Sequence, residues 1–180
     1  MPSPLAHGVS GYIITKFSPL KRPQESKVNQ WYVQSLYPVF VAISADLDFI
    51  PQIITGDNYH RGLTHSILFG LIFSVITGFI VSHWSKYSYR KIFLLTAIAY
   101  GSHLVLDFFT AGGDGMELLW PITDSFFKSP LPIFPAVHHS RGLWHYSHLI
   151  PLSFELAYSA LLFLGMFYWQ KFSYGSENNN

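Results

Sequence analysis

Cysteine is missing altogether from the 180-residue chain. Disulfides and thiolate-bound metals are therefore excluded, and any metal must be held by His, Asp or Glu. Charge is scarce as well. Asp, Glu, Lys and Arg make up 12% of the residues, where soluble domains typically carry about 25%. The formal net charge is only +1, which gives no basis for a nucleic-acid partner. Residues 1–17 hold no basic residue ahead of their apolar part and no small-residue cleavage site, so a cleaved signal peptide is not expected.

What is abundant is apolar and aromatic surface, at 49% and 18% of the residues. With a mean hydropathy of +0.25, the expected fold is all-α: a multi-pass membrane bundle of four long transmembrane helices plus a short N-terminal helix. Histidine is also plentiful, with nine residues against ten Asp plus Glu.

In chain order, residues 6–17 read as a short helix and 16–27 as a basic linker. Residues 31–50 form the first long apolar segment, with Pro38 as a kink, Pro51 as a stop and Asp46-Leu47-Asp48 near the far end. About 20 residues suffice for one bilayer crossing. A polar loop, 52–64, leads to the second apolar segment, 66–83, and a basic turn, 86–91, to the third, 92–111. A loop rich in Pro and aromatics, 112–150, precedes the fourth, 151–170. The layout gives one membrane-embedded domain, 1–172, and a polar tail, 173–180, expected to be disordered.

If each long segment crosses once and the linker is cytoplasmic, Lys16, Lys21, Arg22, Lys27, Lys86, Arg90, Lys91 and Lys171 fall inside, against Arg61, Lys128 and Arg141 outside. That distribution follows the positive-inside rule. It puts the loop 52–64 on the periplasmic or outer side.

The densest chemistry is His60-Arg61-Gly62-Leu63-Thr64-His65-Ser66, at the mouth of the second apolar segment. As a plain helix start it would use Thr64 as N-cap, with Arg61 solvated. Its company argues for more. His103 and Asp107 are four apart on the third segment and share a helix face, about 18 and 24 Å from Lys91 at 1.5 Å per residue. His7 sits on the short first helix, about 13 Å from Lys16. Asp46 and Asp48 share a face only where the helix has given way to extended chain. Depth therefore converges His7, Asp46, Asp48, His65, His103 and Asp107 in the outer half of the membrane, where an unpaired ionisable group is costly. These are the expected metal ligands, and His with carboxylate suits Zn²⁺, Mn²⁺ or Fe²⁺. The plainer alternative is that His103 and Asp107 bind each other and stiffen the bundle. His83, beside Trp84 and Lys86, reads as interfacial. His138, His139, His145 and His148 form a second outer cluster that completes a metal position, flanks a substrate or is ordinary loop. Glu155 is within reach of Arg61, Arg141 or a cluster histidine. Arg61 to His65 recurs with one mismatch as Arg141 to His145, a weak echo of duplication.

With these residues the chain resembles the bacterial membrane-bound, metal-dependent hydrolases that include the LexA-regulated inner-membrane members. The likeness rests on His7-Gly8, Asp46-Leu47-Asp48, the His60–Ser66 stretch, His103 with Asp107, and Leu118-Leu119-Trp120-Pro121. More distantly it is similar to zinc-dependent phospholipase C and the single-strand nucleases, whose ligand order matches His7, Asp46 or Asp48, His65, His103 and Asp107. Those soluble enzymes add a further His soon after the last pair and use a free amino terminus. Here no His lies between Asp107 and His138, and His7 follows six residues. The resemblance thus implies one or two metal ions, most simply Zn²⁺, rather than three, in an inner-membrane protein.

The expected activity is hydrolysis of a lipid or lipid-linked phosphoester by a metal-activated water. Asp46 or Asp48 is general base with the other as ligand, Arg61 holds anionic charge, and His60 is the acid for the leaving group. The alternatives are a metal-ion or proton transporter, in which buried His and Asp line a path, and a non-catalytic scaffold tied together by metal.

Overall fold

The computed structural model describes residues 3–17, 20, 23–56, 60–136 and 146–177. Its helices are α1 (Pro4–Phe17), α2 (Tyr37–Ile43), α3 (Phe49–Thr55), α4 (Ile67–Ser85), α5 (Tyr89–Phe108) and α6 (Leu149–Glu177). A π-helical segment, Tyr32–Leu36, runs into α2, and a 3-10 segment, Ser44–Asp48, joins α2 to α3. Together they make one continuous span, Tyr32–Thr55. With α4, α5 and Tyr146–Phe172 it gives four helices long and apolar enough to cross a membrane. The chain is an all-helical, multi-pass membrane bundle.

The ends of these helices follow local chemistry, and several differ from expectation. Pro51 does not stop the first span. It falls in the first turn of α3, where a missing N–H costs little, and the helix ends instead at Gly56, whose φ of +80° suits glycine. The cap of α4 is Ser66, whose hydroxyl accepts from Phe69 N at 3.1 Å, and not Thr64. The third span is shifted towards the amino terminus, ending at Phe108 where residue 111 was expected. The last helix runs on to Glu177, so the backbone of the expected tail is helical over most of its length.

Packing inverts the soluble pattern. The buried residues of α4 are Gly70, Ser74, Gly78 and Ser85, while Leu71, Ile72, Val75, Ile76 and Phe79 face outwards. Small residues let helices approach in a solvent as apolar as their side chains. A Cβ on Gly70 would stand 2.8 Å from the Tyr100 ring, and one on Gly78 3.2 Å from Phe93 Cα. This register makes α4 and α5 an antiparallel pair. The short helix α1 is packed against α2, α5 and α6. At Gly11 a Cβ would lie 2.3 Å from the Pro38 carbonyl oxygen. Only glycine lets α1 sink this far onto α2, and His7 goes with it.

Candidate metal centre

Helix α5 presents His103 and Asp107 on one buried face. His103 Nδ1 is 2.7 Å from the Ala42 carbonyl, at the end of α2. A carbonyl only accepts, so Nδ1 carries the proton and Nε2 is left with its lone pair, the form a metal needs. One turn on, the switch from α-helix to 3-10 geometry brings Asp46 in from the first span. Asp46 and Asp48 were expected to share a face through extended chain. The chain instead tightens, and the two carboxylates reach opposite edges of a single ring, that of His65. Asp46 Oδ1 lies 3.6 Å from His65 Nε2, and Asp48 Oδ2 lies 3.2 Å from His65 Nδ1.

Asp46, His65, His103 and Asp107 each offer one donor atom, and the four atoms all lie within 4.8 Å of one another. His65 Nε2 is 3.2 Å from His103 Nε2 and 3.3 Å from Asp107 Oδ2. His103 Nε2 is 3.5 Å from Asp46 Oδ1 and 3.8 Å from Asp107 Oδ2. Ligands about 2.0–2.1 Å from a tetrahedral ion stand roughly 3.3 Å apart, so these separations fit one ion. The polar atoms support the fit. Both oxygens of Asp46 and of Asp107 and both nitrogens of His7 are buried without a hydrogen-bond partner among the described residues. Such groups are expensive unless something else satisfies them. Burial opposes charge on His65, but the carboxylates of Asp107, Asp46 and Asp48 close around its ring outweigh burial and push its pKa up to about 10.

The remaining expected residues fall around this group. His7 stacks on His103, with ring centroids 3.9 Å apart, and its Nε2 is 3.4 Å from Asp107 Oδ1. Asp48 is saturated: it takes His60 Nδ1 at 2.9 Å, the Arg61 amide at 3.1 Å and the Thr64 hydroxyl at 2.9 Å. It therefore orients His65 from behind. With His60 and His65 it makes a second group of metal-ligand composition, but its bonds are those of a hydrogen-bonded brace. His60 lies flat on Phe49, with centroids 3.9 Å apart. Arg61 is buried, has a φ of +64°, and brings Nε to 3.6 Å from Asp107 Oδ2. Among the described residues, Glu155 is bonded to Ser3. Its oxygens accept the Ser3 amide at 2.7 Å and the Ser3 hydroxyl. His138, His139, Arg141 and His145 lie outside the described residues, and His148 is in the 3-10 turn before α6.

Other residues hold the loop, of which Tyr100 and Glu117 carried no signal in the sequence. The Tyr100 hydroxyl donates to the Thr64 carbonyl. Glu117 N donates to Arg61 O at 3.0 Å, and Ile67 N to Leu118 O at 3.0 Å. The Leu118-Leu119-Trp120-Pro121 motif thus steadies the start of α4. The glycine-rich segment 112–115 packs against Arg61: a Cβ on Gly113 would be 3.5 Å from Arg61 Nη1. Three glycines in four positions, beginning five residues after Asp107, are the signal that would have flagged it. A cavity of about 600 Å³ adjoins the brace, bordered by Asp48, His60, Thr64, Phe69, Phe73 and Phe126.

All of this lies at the end of the spans away from the basic turn 86–91, since α5 starts at Tyr89 and carries Asp107 in its last turn. The chain is 31% identical over 117 residues to inner membrane protein YbcI of Escherichia coli (strain K12), covering 62% of this chain and 67% of that protein. No solved structure matches. The family described as YdjM inner membrane protein matches residues 1–176, nearly the whole length over which the spans and the His/Asp group are laid out, and the chain belongs to that family.

Proposed function

We propose that this protein is a metal-dependent hydrolase of the inner membrane, acting on a lipid or lipid-linked phosphoester from the periplasmic side. One observation carries the reading: the buried donors of Asp46, His65, His103 and Asp107 sit at ligand spacing, with carboxylate oxygens that no described residue satisfies. A divalent cation held there, Zn²⁺ being the simplest fit, supplies Lewis acidity and an activated water. The protein does the rest. Ala42 and Asp48 fix the rings of His103 and His65. Asp46 would hold the ion through one oxygen and keep the other as a proton acceptor. Arg61 sets its charge beside the reacting group. His60 stands at the cavity wall and returns a proton to the departing oxygen. The eight-to-three split of basic residues supports the periplasmic orientation.

A second reading is favoured by the origin of the donors in three separate segments, the first span, the loop before α4, and α5. A metal there would tie the bundle together without turnover. Elemental analysis of protein purified in detergent, together with an assay on a generic phosphodiester, separates the two. The hydrolase reading expects one or two equivalents of metal and turnover, both lost in Asp107→Asn. Metal without turnover leaves the scaffold, and protein purified without metal overturns both.

A further inference from the structure

The cluster of acids and imidazoles explains one edge of the Arg61 guanidinium, where Nε faces Asp107 at 3.6 Å. The other edge is unexplained. Arg61 is more than nine-tenths buried, and its Nη2 has no hydrogen-bond partner among the described residues. Nη1 points at Gly113, where the missing side chain leaves room that a Cβ would narrow to 3.5 Å. Gly112, Gly113 and Gly115 all have positive φ, of 85°, 64° and 109°. A side chain at any of the three would be strained, so the one side chain of the stretch is that of Asp114, which is exposed to solvent, and Gly113 is the bare position that faces Arg61. The amides of residues 112–115 donate to no backbone carbonyl among the described residues. From the solvent side, Lys128 Nζ reaches the Gly113 carbonyl at 2.9 Å and keeps two N–H groups for other use. Arg61 and Lys128 are two of only three basic residues on this side of the charge split; Lys128 bonds Gly113 and Arg61 Nη1 faces the place its Cβ would take.

We infer that Arg61, the glycine loop 112–115 and Lys128 form an oxyanion cradle beside the metal centre, and that it receives a phosphate group. The planar fork of Nη1 and Nη2 matches two oxygens of a tetrahedral anion. The bare Gly113 lets that anion lie close to the backbone, and the exposed ammonium of Lys128 guards its entry and offsets the neighbouring Asp114 carboxylate. The cradle rests on the hydrolase reading for its meaning and names the groups that would hold the phosphate of its ester, but its binding chemistry is independent of turnover.

The test is binding of inorganic phosphate, by titration calorimetry on full-length protein in detergent, with metal content measured on every sample. Lys128→Met should weaken binding at least tenfold and Lys128→Arg should restore it. Gly113→Val should weaken it by crowding Nη1, and Arg61→Lys by removing the fork, each at wild-type metal content. Phosphate that binds equally to wild type and Lys128→Met, through the metal alone, overturns the cradle and leaves the hydrolase reading standing. Phosphate that fails to bind wild type overturns it too. Metal-free protein that still binds phosphate in a Lys128-dependent way keeps the cradle and removes the hydrolase. Nanodiscs of phosphatidylcholine with and without phosphatidate identify the source: competition by phosphatidate marks a lipid headgroup, its absence a soluble ester, and either keeps the cradle.

Discussion

Asp48 Oδ2 lies 3.2 Å from His65 Nδ1, on the opposite edge of the ring from the nitrogen that faces Asp46 and Asp107. Two acids spaced two residues apart thus divide their work, one towards an ion and one behind the imidazole. Asp48→Asn should lower metal affinity about 10–100-fold, as loss of an outer-shell partner does, yet retain stoichiometric metal at saturation. Asp46→Asn should leave metal substoichiometric even with excess ion. Chelator competition on the two variants checks the division. Equal losses would put both acids in direct contact with the ion.

Metal loading should release protons. With its pKa raised to about 10, metal-free His65 is protonated at neutral pH, and a cation must displace that proton. Apparent affinity should climb about tenfold per pH unit between pH 6 and 8. The sign for metal-free stability is the opposite. The folded pKa lies above the unfolded value of about 6.5, so this stabilisation is full below about pH 6.5 and is lost as pH rises towards 10. Proton release in weakly buffered titrations, and melts of chelator-treated protein at several pH values, check both. An affinity independent of pH would remove His65 from the ligand set.

Because the chain has no cysteine, single cysteines report orientation cleanly. Ser125, in the loop after α5, and Ser88, in the basic turn, are both exposed. An impermeant thiol reagent should label Ser125→Cys in cells with a permeabilised outer membrane and reach Ser88→Cys only after the inner membrane is opened. The reverse pattern would turn the site to the cytoplasm with its residues unchanged.

Gly11→Val should be costly. The added Cβ falls 2.3 Å from the Pro38 carbonyl oxygen, a clash with backbone that side-chain rotation cannot relieve. Overpacking of this kind typically costs about 1–3 kcal/mol, and here it also lifts His7 away from Asp107. Gly165→Ala, where a Cβ meets nothing within 4 Å, is the control. Thermal melts in detergent should fall for the first and hold for the second.

The spans were legible because hydropathy and charge are long-range averages that survive small errors of register. The shared face of His103 and Asp107 was legible because they lie one turn apart on the same helix. What escaped depended on contacts between distant segments. Thr64 is a good N-cap by type, but its hydroxyl is drawn to Asp48, and Ser66 caps α4 instead. Glu155 was matched by charge to Arg61, Arg141 or a cluster histidine, and its bond to Ser3, 152 residues away, had no sequence signal. The 3-10 segment that swings Asp46 and Asp48 to either side of His65 has no signature in residue type, because it is selected by the ring it encloses.

The deep seating of α1 has a consequence for biosynthesis. His7 and Asp46 are made early, while Asp107, the partner of His7, is made a hundred residues after it. Until α5 emerges, the earlier segments have neither His103 nor Asp107 to meet. An acid at the centre of a lone span costs about 3 kcal/mol. The nascent first span should therefore lodge loosely at the translocon, or hold Asp46 near the interface, and settle only when α5 arrives. Assembly of the centre and final placement of the first two helices become one late event, and a chain stalled before α5 should be a ready target for membrane proteolysis.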